Sequence, residues 1–260
     1  AEPLHPLEAL ELARKPRRCH CGARLGRPKC LSLVDLYRPW SGATPKEAQR
    51  SNLIGRFLRR QPAVWAALLR PEYHTWHSHA KKFHKELSES LATIEAFELP
   101  RDSHAVDLCC GKSLTSVLLS LSHKHVLTAV DIREPCELPH LDDAAQRARE
   151  VEALAYAEPV EYLRHDILAD DFLETLQQRV EEVGRPTAIL AMHLCGRLSL
   201  QAIAAFESIR LVRWLILTPC CLPHASEAPE ELAHIYGCGL SDPEQFDAWV
   251  RALIQGRAGG

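Results

Sequence analysis

The sequence predicts an α/β fold built on a doubly wound parallel sheet, and three observations predict it. From residue 104 onward, short strand-like runs alternate with helical ones. The strand runs, at 105–108, 126–131, 161–164, 188–192 and 214–218, mostly read as continuous apolar runs rather than as an alternation at every second residue. There are five such repeats, which is the pattern of strands buried on both faces and joined by helical crossovers.

The elements follow in order. Residues 1–45 form a basic, irregular segment, because Pro16, Gly22, Gly26 and Pro28 discourage regular structure. Residues 46–101 are a helical extension. Its first part carries Leu53, Phe57, Val64, Trp65 and Leu68 at helical spacing, punctuated by Pro62 and Pro71. Its second part, 72–98, is one long helix with the stripe Trp76, Phe83, Leu87, Leu91, Ile94 and Phe97, stopped by Pro100. Residues 102–260 are the α/β domain, with helices predicted at 113–122, 142–156, 171–183, 199–207 and 244–254. The stretch 211–222 is the most apolar of the chain, but Arg213 and Pro219 interrupt it. It is a buried strand, well short of the ~18 apolar residues of a membrane span.

The 260 residues carry a net charge of −3 that hides an asymmetry. Residues 1–101 hold 18 Lys+Arg against 10 Asp+Glu, a balance of +8, so the remainder stands at −11. Arg14, Lys15, Arg17, Arg18, Arg24, Arg27 and Lys29 follow one another with no acid among them. Two readings stand: an arm that meets a polyanion such as RNA, or a solvated segment. Ten cysteines, two pairs of them adjacent in sequence, match no secreted disulfide framework. With no apolar signal segment in view, an intracellular, reducing compartment is expected. Cys19, His20, Cys21 and Cys30 offer soft ligands, but in one paired set where a structural zinc uses two, so no metal is expected. His74, His77, His79 and His84 are read as solvated or capping. The only methionine is Met192, so the chain is expected to be processed or part of a longer one.

In a doubly wound sheet, ligands bind beyond the carboxyl ends of the strands. The first strand ends Val106-Asp107-Leu108-Cys109-Cys110-Gly111-Lys112-Ser113 and enters a helix. An acid followed by a glycine-bearing turn at a strand–helix junction is a loop that wraps an adenosyl ligand. The second strand ends at Asp131, twenty residues after Gly111, the distance at which an acid meets ribose hydroxyls. The third is followed by Asp166, a carboxylate able to accept from an exocyclic adenine amine. No Gly-x-x-x-x-Gly-Lys-[Ser/Thr] is present, which excludes a P-loop nucleotide hydrolase. Cys109 and Ser113 stand where glycines are commonest in such loops. That leaves too little glycine for a pyrophosphate but is compatible with adenosylmethionine, which has no phosphate.

These residues, with Val130-Asp131, Ala191-Met192-His193-Leu194-Cys195-Gly196 and Pro219-Cys220-Cys221, resemble class I S-adenosylmethionine-dependent methyltransferases of Rossmann-like fold. More narrowly, they resemble the subfamily with His-Leu-Cys-Gly after the fourth strand and Pro-Cys-Cys after the fifth, which includes eukaryotic tRNA ribose 2′-O-methylases. The likeness covers about residues 76–223. It implies S-adenosyl-L-methionine held by Asp107, Cys109, Gly111, Lys112, Asp131, Ile132, Asp166, Ile167 and His193, with His193 and Lys112 serving the reaction. It implies an RNA acceptor, with two alternatives: a degenerate module of the same fold that binds nucleic acid or a partner protein, and a methylase of proteins or small molecules. Family members close their sheet with a further hairpin, which is expected to be missing or rudimentary in the residues after Cys221.

The first, fourth and fifth strands are neighbours in this topology, so Cys109, Cys110, His193, Cys195, Cys220 and Cys221 converge on one rim. The cysteines are small apolar packing residues, or His193 is a base for an acceptor hydroxyl, or a thiolate attacks a pyrimidine ring. Sequence leaves these three open, along with a metal on the same rim.

Overall fold

The computed structural model describes residues 80–96, 99–100, 102–122, 125–138, 160–219 and 242–255, with positions 53–57, 60, 61, 64, 68 and 141. The basic segment, the cysteines at 19–30, Cys220 and Cys221, the histidines at 74–79, the helix predicted at 142–156 and the residues that bear on a closing hairpin lie outside them. Among the described residues, no helix is long and apolar enough to cross a membrane.

The chain divides into two compact units. The first takes in residues up to 98, 112–124 and 136–160. Its helix α1, Ala80–Ala96, buries Phe83, Leu87 and Leu91, one stripe at four-residue spacing. Helix α2, Leu114–Ser122, is buried at every position from Leu114 to Leu121, which suits its make-up of five aliphatic residues and four small hydroxyl residues. Thr115 donates to the Ser90 hydroxyl at 2.9 Å, so the polar groups between α1 and α2 satisfy each other. Phe57, Val64 and Leu68 are buried as their spacing predicts, while Leu53 is half-buried and its neighbour Ile54, outside the predicted stripe, is buried.

The second unit holds the sheet: β1 His104–Leu108, β2 Val126–Asp131, β3 Val160–Arg164, β4 Thr187–Met192 and β5 Val212–Thr218. The order is β3-β2-β1-β4-β5, with β1 parallel to β2 and β4, and β4 parallel to β5. The chain starts in the middle, runs to one edge and returns to the other. The switch point therefore falls between β1 and β4. Helices α3 (Phe172–Val183), α4 (Arg197–Ser208) and α5 (Asp242–Gln255) complete the unit.

One core cluster joins Val106 and Leu108 of β1, Val130 of β2, and Ile189 and Ala191 of β4 to Phe172, Leu176 and Val180 of α3 and to Ala202 and Ala205 of α4. The residues two apart on each strand share one face, and α3 and α4 cover it. Ala105, Leu127, Ala129, Ala188 and Leu190 belong to the other face and are also buried, which is why β1, β2 and β4 read as continuous apolar runs. The edge strands depart from that expectation. β3 exposes Glu161 and Arg164, and β5 buries only Val212, because an edge strand has a neighbour on one side alone.

Candidate active site

The turn after β1 takes an unusual backbone path. Cys109, Gly111 and Ser113 have φ of 50°, 56° and 54°. Three alternate residues in the left-handed region are what a glycine-rich loop supplies, and here two of them carry side chains at a cost of ~1–2 kcal/mol each. Among the described residues, a Cβ on Gly111 would meet nothing within 4 Å, so they leave the space beside it open.

The Gly111 amide donates to Oδ2 of Asp131 at 2.9 Å. The other oxygen, Oδ1, accepts from the Arg133 amide at 3.2 Å and lies 3.7 Å from the Arg133 guanidinium. The β2 acid thus ties the β1 turn to its own loop. A carboxylate has about four lone-pair sites, so lone pairs remain for a ligand. Asp131 is 8% exposed and Asp107 5% exposed. Asp166, two residues beyond β3, is exposed and accepts from the Leu168 amide at 2.9 Å.

The charges of the three carboxylates all act on one thiol. Cys109 is pushed from 9.0 up to about 12, by burial first and then by the charges of Asp131, Asp107 and Asp166. These acids therefore share one neighbourhood at the carboxyl ends of β1, β2 and β3, a field that favours a cation. Ile132, next to Asp131, is 64% exposed, and Leu168 is 39% exposed. Ile167, in contrast, lies in the core cluster. The apolar side chain displayed after β3 is Leu168, one residue beyond the one the sequence reading named. Lys112 is half-buried and begins the segment assigned to the first unit.

The turn after β4 gives each residue of His193-Leu194-Cys195-Gly196 a distinct part. Leu194 anchors the turn in the core. Its carbonyl accepts from the buried Ser199 hydroxyl at 2.7 Å. The Cys195 thiol donates to the His193 carbonyl at 3.6 Å. Gly196 has φ 59° and ψ −131°, a conformation essentially closed to residues with a Cβ. His193 has φ 58°, is exposed, and donates its amide to the Thr218 carbonyl at 3.0 Å, which continues the β4–β5 ladder. The turn thus displays an imidazole at the end of β4, the strand beside β1. Among the described residues, no three His, Cys, Asp or Glu side chains converge as metal ligands.

Sequence reasoning missed Tyr162 and Arg164 of β3, whose polar ends reach the loop that follows β2. Their signal was the break in the apolar run, Val-Glu-Tyr-Leu-Arg, at a strand that should otherwise have been uniformly buried.

No curated protein matches the chain. A family described as a methyltransferase domain matches residues 81–227, more than half of its length. That span takes in all five strands of the sheet and the turn after each of the first four, so the chain belongs to the methyltransferase-domain family.

Proposed function

We propose that this methyltransferase takes its methyl group from S-adenosyl-L-methionine and delivers it to RNA. The donor half rests above all on the carboxylates gathered around Cys109. A sulfonium carries positive charge, and Asp107, Asp131 and Asp166 supply the opposite sign. The residues also fit the rest of the donor. Asp131 keeps lone pairs for ribose hydroxyls, and Ile132 and Leu168 offer exposed apolar surface for a purine. When bound, the donor brings an already activated methyl group, so the protein's work is alignment. His193 and Lys112 are assigned to the acceptor. His193 stands exposed, and a neutral imidazole suits the removal of a hydroxyl proton near neutral pH.

The retained loop conformation favours this over a degenerate binding module. Cys109 and Ser113 hold the left-handed geometry despite lacking glycine's freedom. Such strain persists where surrounding structure enforces it, and it clusters at functional sites.

The RNA acceptor rests on the resemblance in the turns after β4 and β5 and on the basic segment from Arg14 to Lys29. If that segment contacts phosphates, affinity for single-stranded RNA falls with log salt at ~0.7 per contact, and deleting residues 1–30 flattens the slope. Calorimetry with S-adenosylhomocysteine tests the donor. Wild-type binding that is lost in Asp131→Ala is expected, and equal affinity in both removes the role given to that acid. Labelled S-adenosylmethionine with total RNA and protein extracts tests the acceptor. Label is expected in RNA, and label confined to protein overturns that half.

A further inference from the structure

Strand β3 grips the loop that carries the β2 acid. The Asp131 carbonyl accepts from the His165 amide at 3.0 Å and from the Tyr162 hydroxyl at 3.1 Å. The same hydroxyl lies 2.8 Å from the Arg133 carbonyl. Between these two, the Ile132 carbonyl accepts from Arg164 Nε at 3.3 Å, and the Arg164 guanidinium pairs with Glu134 at 2.8 Å. Three consecutive carbonyls, 131 to 133, are thus held by two side chains. Tyr162 and Arg164 are two residues apart on one strand and so project to the same side.

The loop displays an isoleucine at 64% exposure. An isoleucine gains ~1.5–3 kcal/mol by finding apolar cover, so a loop free to move would turn this side chain inward. Polar bonds from β3 to the loop backbone oppose that collapse. The Tyr162 hydroxyl is suited to the task, because one hydrogen shared by carbonyls two residues apart is lost to one of them if the loop stretches. Burial, with Cys110 and Asp131 adding to it, pushes Tyr162 up to about 12, so the donor hydrogen stays in place over the working pH range.

We infer that Tyr162 and Arg164 are positioning residues for the nucleoside end of the donor, acting through Asp131 and Ile132. The inference rests on the donor reading above and adds the groups that fix the geometry of its ribose acid and its apolar neighbour. Neither side chain is assigned a contact with the donor.

The test uses the full chain with Tyr162→Phe, Arg164→Met and Arg164→Lys. Hydrogen exchange at the amides of 132–134 without ligand reads the grip itself. Calorimetry with S-adenosylhomocysteine reads its consequence, and urea unfolding reads stability. Tyr162→Phe and Arg164→Met are expected to speed exchange and weaken binding by about tenfold each, the loss of a hydrogen bond or two. Arg164→Lys, which keeps a cation for Glu134, is expected to recover part of the affinity. A wild-type chain that fails to bind S-adenosylhomocysteine overturns the donor reading, and the positioning role with it. Wild-type binding with equal affinity in Tyr162→Phe overturns the positioning role alone. A lowered urea midpoint at unchanged affinity does the same, since it makes the bonds purely structural. Should Tyr162→Phe fail to fold, the Arg164 pair decides by the same measures.

Discussion

The His104 imidazole meets the Thr128 hydroxyl at 2.9 Å, near the amino-terminal ends of β1 and β2 and away from the strand ends that carry the acids. The other ring nitrogen, Nδ1, lies 3.2 Å from the Thr187 hydroxyl. Thr187 donates its own hydrogen to the Arg185 carbonyl at 3.0 Å, so its oxygen accepts from Nδ1–H. Nε2 is then the bare nitrogen, and Thr128 donates to it. The Thr128 oxygen in turn accepts from Arg179 Nε at 3.3 Å, and Arg179 pairs with Glu161. Every hydrogen in this chain has one place to go, and it fixes the Nδ1–H tautomer across β1, β2 and β4.

A neutral ring in that chain makes the fold acid-sensitive. Burial first, then the charges of Arg179 and Arg185, lower His104 from 6.5 to about 3. Below 6.5 the unfolded chain takes up a proton that the folded chain refuses. The stabilisation is therefore complete above that pH and declines by about 1.4 kcal/mol per pH unit as pH falls toward 3. His104→Phe should lower stability at neutral pH by about 2 kcal/mol, because two buried hydroxyls lose a partner. It should also make the decline from pH 6.5 to about 4.5 shallower by one proton's worth. Urea midpoints across that range measure both, and parallel pH curves for the two proteins would contradict the assignment.

Gly111 separates backbone strain from ligand approach. Its φ of 56° penalises any side chain, yet an added Cβ meets no atom of the described residues within 4 Å. Gly111→Ala should cost about 1–2 kcal/mol of stability from the backbone alone. If a donor lies close over this turn, its affinity should drop further than that strain explains. Thermal unfolding with and without S-adenosylhomocysteine gives both quantities, and a stabilising shift by ligand equal to that of the wild type would place the donor away from Gly111.

The sequence made most of this sheet legible, and the misses have physical causes. β2 begins and ends where its apolar run does, because both of its faces are buried. β1, β3, β4 and β5 each start one or two residues earlier than predicted: His104 and Thr187 join the ladder as polar residues, and Arg213 cuts Val212 off from the apolar run at 214–218. Helix α4 begins at Arg197 rather than 199 because Gly196 opens it, a boundary that the glycine conceals as a turn residue. The acids at the strand ends were readable because strand, acid and glycine follow one another in the chain. The left-handed turns at Cys109 and Ser113 were not, because nothing in a cysteine or serine announces positive φ. The grip of Tyr162 and Arg164 depends on pairing between strands whose residues lie about thirty positions apart, which local pattern does not reveal.

The Cys109 thiol should be inert. At about 12, it is on the order of one part in ten thousand thiolate near pH 8. Iodoacetamide labelling followed by mass spectrometry should find Cys109 modified at least tenfold more slowly than in the urea-unfolded chain. The rate should rise in Asp131→Asn, which removes the charge that acts most strongly on this thiol. Fast labelling in the folded wild type would mean that the thiolate is stabilised, and would reopen an attack by this cysteine on an acceptor ring. Cys220 and Cys221, two further thiols of that rim, lie outside the described residues.

Trp249 sets the docking of the last described helix. It is fully buried at the centre of a small cluster with Leu200 and Ile203 of α4 and Leu217 of β5, so one side chain fastens α5 to the edge of the sheet. Its indole Nε1 is buried, with no hydrogen-bond partner among the described residues. Trp249→Ala removes the largest apolar group of the cluster and should cost about 3–5 kcal/mol. Trp249→Phe loses less area and also removes a buried N–H whose desolvation costs about 1–3 kcal/mol, so the two effects oppose each other. The phenylalanine variant should therefore lie within about 1 kcal/mol of the wild type, far above the alanine variant. Urea unfolding of the three proteins measures the order. A phenylalanine variant as unstable as the alanine one would show that the indole N–H has a partner after all.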